Sequence, residues 1–152
     1  MPKMPIDSPG KCIHNRDFAG SMNTKDPTTV VAGFKFYISL ENVFDDPDWV
    51  SSTYFRVLDA GSVPVYMGAP NIEKYSPQPN YVVNMYDFKT PDHLVDYLMY
   101  LDANDTAYYE RLQWKEEGPS SDFVEFMRLA DLHSDCRLCA LIALERREQY
   151  PR

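Results

Sequence analysis

Residues 34–67 read FKFYISLENVFDDPDWVSSTYFRVLDAGSVPVYM, and the rest of the chain can be placed around them. Phe34, Phe36 and Ile38 alternate in an aromatic and β-branched run, which predicts a strand over Phe34–Leu40 ending at the polar pair Glu41-Asn42. After the acidic loop Asp45-Asp46-Pro47-Asp48, the residues Trp49 or Val50, Tyr54, Val57 and Leu58 recur at helical spacing. They predict a helix over Trp49–Ala60, with Gly61 as its stop. Ser62–Met67 then reads as a short buried strand. Strand, helix, strand is a βαβ unit, so these two strands are expected to be parallel neighbours.

Working outward, Met1–Pro27 carries six of the chain's prolines and glycines with many charges, and reads as an irregular lead-in with one short strand near Ile6. Downstream, the proline-rich loop Gly68–Asn80 leads to a second short apolar run, Tyr81–Asn84. Thr90-Pro91 pairs a capping hydroxyl with proline at the first helical position, and Leu94, Val95, Leu98 and Leu101 then share one face. Asp105–Trp114 reads as a further helix. Asp122 with Glu125 reads as an acidic capping pair before Phe123, Phe126, Met127 and Ala130. The expectation is an α/β fold: a parallel sheet with flanking helices and a helical C-terminal end.

The chain has 152 residues, 44% of them hydrophobic, which suits one packed domain. Fifteen Lys and Arg against 23 Asp and Glu leave a net charge of -8, which opposes binding to nucleic acid or an anionic membrane surface. The longest apolar run, Cys139–Leu144, is far short of the ~20 residues that cross a bilayer. Met1–Asp17 has proline and charge where a targeting signal carries its apolar core, so no targeting segment is expected.

In parallel sheets, ligands gather at the carboxyl ends of strands and anions at the helix N-termini that follow. The candidate site is therefore Glu41–Thr53, where Ser51, Ser52 and Thr53 bring three hydroxyls to the unpaired N–H groups of a helix start. A simpler reading is a capped helix beside a solvated acidic turn. Asp46-Pro47-Asp48 has the D-x-D form of a metal–nucleotide site, and its simpler reading is again an exposed turn. Cys12, Cys136 and Cys139 are odd in number, so a closed internal disulfide set is impossible; with His14 and His133 they have a composition that suits zinc, though paired CxxC knuckles are missing. Asn104-Asp105-Thr106 is an N-glycosylation sequon. Trp114, Tyr97, Tyr100, Tyr108 and Tyr109 are candidates for sugar stacking, with core packing the commoner fate of such residues.

FKFYISLEN, Asp48-Trp49-Val50 and AGSVPVYMGAPN (Ala60–Asn71) follow one another in the order found in α-1,3/1,4-fucosyltransferases, which the chain resembles over nearly its whole length. Ile6–Cys12, LQWKEEGPS (Leu112–Ser120) and LHSDCRLC (Leu132–Cys139) extend the resemblance, the last two toward the plant-type core α-1,3-fucosyltransferases. It implies the Rossmann-like, donor-binding half of a two-domain GT-B-type glycosyltransferase, with residues 1–33 as lead-in and 34–152 as the GDP-fucose-binding domain. It also implies transfer of L-fucose from GDP-fucose to N-acetylglucosamine of N-glycans on the lumenal side of the Golgi membrane. The acceptor domain, the catalytic base and the membrane anchor would lie upstream, so no catalytic residue and no tightly bound cofactor or metal is expected here. By family position the donor-binding residues are Lys35, Glu41, Asn42, Trp49, Ser51, Ser52 and Thr53. Ser52 stands where the family carries Glu, associated with the ribose, and Thr53 where it carries Lys, associated with the phosphates. Losing that ammonium removes a charge-assisted contact worth about 1.5–3 kcal/mol, which keeps a catalytically inactive remnant, retaining the fold as a binding module, as the alternative. The resemblance makes Cys12, Cys136 and Cys139 disulfide candidates.

Overall fold

The computed structural model describes residues 4–17 and 27–149. A short helix α1 (Pro27–Val31) precedes strand β1 (Phe36–Leu40), and helix α2 (Ser52–Ala60) connects it to strand β2 (Val63–Met67). Strand β3 (Val83–Asn84) follows, then five helices: α3 (Pro91–Ala103), α4 (Asp105–Arg111), α5 (Trp114–Glu117), α6 (Ser121–Asp131) and α7 (Ser134–Gln149). Single 3₁₀ turns occupy Ile72–Tyr75 and Met85–Asp87.

The sheet order is β1-β2-β3 and every pairing is parallel. β1 meets β2 in register from Phe36 opposite Val63 to Leu40 opposite Met67, so the expected βαβ unit is present. β2 is central and buried, because a strand covered on both faces can be apolar at successive positions. On one face Tyr66 meets Tyr54 of α2 edge to face, with ring centroids 5.6 Å apart. Gly61 ends α2 as expected: its φ of +77° suits glycine, and its N–H reaches the Val57 and Leu58 carbonyls at 3.0 Å. The next residue, Ser62, is buried and its hydroxyl donates to the carbonyls of Val31 and Phe34, tying α1 to the start of the sheet.

Several local expectations change. No strand forms near Ile6, because Asn15 satisfies that backbone: its Nδ2 donates to the Ile6 carbonyl at 2.6 Å and its Oδ1 accepts from Ser8 N–H at 2.7 Å. α1 lies inside the 1–33 lead-in and shares only Pro27 with the stretch read as irregular. β3 is two residues where four were expected; Arg111 takes the Asn80 and Val82 carbonyls, and Tyr81 turns its hydroxyl to the Ser62 carbonyl at 2.7 Å. The helix expected over Asp105–Trp114 is two, since Leu112 buries itself at a turn that closes by a bond to the Tyr109 carbonyl. α6 is capped by the Ser120 hydroxyl on Phe123 N–H at 3.2 Å rather than by Asp122 with Glu125; Glu125 instead pairs with Arg128 at 2.8 Å. Thr90 caps α3 as anticipated.

α7 differs in kind from the rest. All its described side chains, Ser134 to Arg146, are exposed, Leu138, Leu141, Ile142 and Leu144 included.

Candidate functional site at the carboxyl end of strand β1

β1 delivers Glu41 to the carboxyl edge of the sheet, where its backbone N–H continues the ladder to the Met67 carbonyl at 2.9 Å. Its side chain is 4% exposed and accepts a hydrogen bond from Ser51 N–H at 3.0 Å. This bond spans the whole loop between β1 and α2. Ser51 is the N-cap of α2: its backbone is extended and its hydroxyl accepts from Thr53 N–H at 3.3 Å. The helix therefore begins at Ser52, three residues later than expected, and Trp49 lies in the loop before it, half exposed. The extended backbone of Ser51, with ψ 162°, is what prevents the helix from running back through Val50 and Trp49.

Asn42, Trp49 and Ser52 face solvent, while Ser51 and Thr53 are half-buried, so six candidate residues gather along one edge. Lys35 does not join them. It precedes β1 whereas Glu41 follows it, a separation of ~20 Å along an extended strand. Its ammonium bonds Asp105 Oδ1 at 3.1 Å and the Asp102 carbonyl at 2.9 Å, and sits over the Tyr108 ring. The Asp105 contact raises the Lys35 pKa above its ordinary value. An apolar groove of about 560 Å³ between Met4, Ile6, Phe34, Ile38, Val65 and Val95 has Lys35 on its rim and none of the other six candidates.

Sequence reasoning missed four residues that shape this edge. Asn71, after β2, exchanges bonds with Asp48: its Oδ1 accepts from Asp48 N–H at 3.0 Å and its Nδ2 donates to Asp48 Oδ1 at 2.7 Å. Tyr75 donates its hydroxyl to the same oxygen at 2.5 Å, and Lys74 approaches it at 3.2 Å. Together, with the Tyr75 hydroxyl foremost, they lower the Asp48 pKa to about 2. Tyr66 donates no bond to Glu41 but lies beside it, its oxygen accepting from Ala69 N–H at 3.0 Å, and burial lifts its pKa to about 12. The contacts of Asp48 were invisible because they join residues 23–27 positions apart.

Among the described residues no three or more His, Cys, Asp or Glu side chains converge on a metal-sized site, so the five-residue set of Cys12, His14, His133, Cys136 and Cys139 does not assemble, and the Asp48 carboxylate of Asp46-Pro47-Asp48 is taken by Asn71, Lys74 and Tyr75. The three cysteines are exposed free thiols. Of the aromatic candidates, Tyr108 and Trp114 pack into the core, Trp114 edge-on to Tyr81, and Tyr97 is held by Arg111. Tyr100 and Tyr109 are exposed. Asn104 caps α4 by accepting from Ala107 N–H at 3.1 Å, and its Nδ2 reaches Tyr100.

The edge can offer an anion the positive end of a capped helix, at which the Ser51, Thr53 and Tyr54 N–H groups are already bonded within the chain, exposed hydroxyl and amide groups and an aromatic face, with no lysine or arginine among the six. Comparison with known proteins fits this outline. A fucosyltransferase-like protein of Arabidopsis thaliana is 38% identical over 144 residues, which is 95% of this chain and 27% of that protein. The GDP-fucose protein O-fucosyltransferase 3 of Homo sapiens is 31% identical over 123 residues, 77% of this chain and 26% of that protein. The chain thus spans about a quarter of the length of these relatives. A crystal structure of an α1,3-fucosyltransferase superposes with a TM-score of 0.61 at 26% identity, covering 71% of this chain and 29% of that one. The same kind of enzyme with GDP-fucose gives 0.53 at 28% identity, covering 59% and 26%. These neighbours share the parallel sheet with flanking helices, so the chain has the α/β architecture of a Rossmann-like part of a GT-B-type fold. The model of the C-terminal region of glycosyltransferase family 10, the fucosyltransferases, matches residues 1–151, and the chain belongs to that family.

Proposed function

We propose that this chain forms the GDP-fucose-receiving part of a fucosyltransferase, with the donor's diphosphate at the N-terminus of α2 and Asn42, Trp49, Ser51, Ser52 and Thr53 lining the donor. The observation that carries the reading is the Glu41–Ser51 bond, which locks a helix start against a strand end in a chain of this family. Its relatives' structures with GDP-fucose and GDP support the donor class. Leaving GDP develops negative charge, and the positive end of a helix already held in place stabilises it without rearranging. Hydroxyls at 52 and 53 bond phosphate oxygens but do not neutralise them, so donor binding by the unaltered chain is weak.

The acceptor is the N-acetylglucosamine of N-glycans, as in plant-type core enzymes, with the base and acceptor platform supplied from outside these residues. A hydroxyl of a protein side chain is the second reading, favoured by the 31–34% identity to GDP-fucose protein O-fucosyltransferases. A Golgi-lumenal setting, in which Cys136 and Cys139 pair with cysteines outside this chain and Asn104 carries a glycan, belongs to the same proposal. The inactive remnant is favoured over the enzyme only by Ser52 and Thr53.

Calorimetric titration with GDP tests the site. Ser52→Glu with Thr53→Lys should tighten binding by about ten- to a hundredfold, the equivalent of one restored charge-assisted contact. Absence of GDP binding in both chains would overturn the reading. Tight binding by the unaltered chain with no gain on substitution would remove the roles given to positions 52 and 53.

A further inference from the structure

Asp48 combines three properties that do not ordinarily occur together. It is a non-glycine residue at φ +69°, its side chain is 55% exposed, and it nevertheless takes part in four hydrogen bonds with a single other loop. Asn71 closes a reciprocal pair with its backbone N–H and its carboxylate, while Lys74 and Tyr75 fill out the same carboxylate oxygen. These partners lie just beyond the carboxyl end of β2, and Asp48 lies in the loop just beyond β1. The set therefore straps two neighbouring strand-end loops together at the rim of the sheet. Core stability does not require it, because the carboxylate contributes nothing to apolar burial and the backbone at 48 is held in a sparsely populated conformation.

What the strap fixes is the chain immediately after it. Trp49 N–H reaches back to the Asp46 carbonyl at 3.4 Å, and Ser51 N–H is held by Glu41. Between these anchors the backbone of residues 48–51 is pinned on both sides, and the Trp49 ring is left half exposed beside the capped helix start. A loop held in its bound geometry loses less freedom when a ligand arrives.

We propose that Asp48 is a positioning residue: through Asn71, Lys74 and Tyr75 it holds the Trp49–Ser51 segment in the conformation that receives a nucleoside diphosphate. The inference rests on the donor-site reading above, and concerns a residue that itself touches no ligand.

Two substitutions separate the side chain from the backbone. Asp48→Gly keeps the left-handed conformation accessible and deletes the three carboxylate bonds of the strap, leaving only the backbone N–H bond to Asn71, whereas Asp48→Asn also tolerates that conformation and keeps an acceptor for Asn71 and Tyr75. The chain has two tryptophans, so Trp114→Phe leaves Trp49 as sole reporter in the 152-residue chain. Asp48→Gly should make Trp49 emission more readily quenched by acrylamide, Asn71→Ala should do the same, and Asp48→Asn should restore the parent value. In the chain carrying Ser52→Glu and Thr53→Lys, Asp48→Gly should weaken GDP binding by about tenfold and Asp48→Asn by far less, the loss being that of preorganisation. A lower melting temperature with unchanged quenching and unchanged GDP affinity would overturn the positioning role, leaving a structural contact only. If the substituted chain bound no GDP at all, the donor-site reading would fall, and the quenching series would still decide whether Asp48 holds the loop.

Discussion

Gly68 lies so close to Glu41 that a Cβ placed on it would stand 2.4 Å from Glu41 Cγ and 2.5 Å from the Tyr66 hydroxyl oxygen. The carboxylate that orders the start of α2 thus depends on a missing side chain at the end of β2. Both neighbours are packed, and neither can retreat without moving the strand end. Gly68→Ala should cost about 1–3 kcal/mol by overpacking. Urea unfolding checks the stability, and a drop in GDP affinity of the Ser52→Glu, Thr53→Lys chain would show the displacement reaching the helix start.

Glu41→Ala leaves the half-buried Ser51 N–H without its acceptor and should destabilise by about 1–3 kcal/mol. Glu41→Gln keeps an acceptor oxygen at the same reach and should cost clearly less. Ser51→Ala removes the cap on Thr53 N–H and should cost about 1 kcal/mol. Denaturant midpoints of the three variants give the ranking, and equal losses for Ala and Gln at position 41 would count against the hydrogen bond as the cause.

The Asp48 carboxyl titrates at about 2 in the fold against an ordinary 3.8, chiefly because the Tyr75 hydroxyl bonds the ionised form. As pH falls, the unfolded chain takes up this proton first, which favours unfolding. Stabilisation from this group is complete above 3.8 and disappears as pH drops through about 2. The gap in urea midpoint between the parent and Asp48→Asn should therefore be constant above that window and close within it. Because the carboxylate is largely solvated, the gap is small at its widest.

Lys35 offers a negative control. Its ammonium is committed to Asp105 and the Asp102 carbonyl at the opposite end of β1 from Glu41, so Lys35→Met should leave GDP binding unchanged. Calorimetry on the Ser52→Glu, Thr53→Lys chain with and without this substitution decides it. A tenfold loss would return Lys35 to the donor site.

The βαβ unit was legible because its signals are local: alternation in Phe34–Leu40, helical spacing to Leu58, and a glycine where the helix must stop. Thr90-Pro91 was legible for the same reason. What escaped were arrangements made by residues far apart in the chain. Asn15 satisfying the Ile6 backbone, Arg111 drawing off the carbonyls that would have lengthened β3, and Asn71 anchoring Asp48 leave no periodic trace. The strand end and the helix start that frame the proposed donor edge were legible as a region, because both can be read from pattern. The exact start of α2 was not, since the extended N-cap Ser51 follows Trp49 and Val50, whose apolar side chains fit the helical spacing equally well. Lys35 was placed by family position, although strand geometry alone separates it from Glu41 by the length of β1.

α7 has one more consequence. A helix whose described side chains are all exposed draws nothing from tertiary packing, and 16 residues are barely past the ~12–15 at which an isolated helix becomes marginal in water. Its amide protons should then exchange with deuterium on the timescale of a peptide unwinding, within the first moments of labelling. Those of Val63, Val65 and Tyr66, in a fully buried strand, should exchange only when the whole sheet opens. The molecule carries both extremes of protection in one chain, and a single exchange experiment would display them side by side.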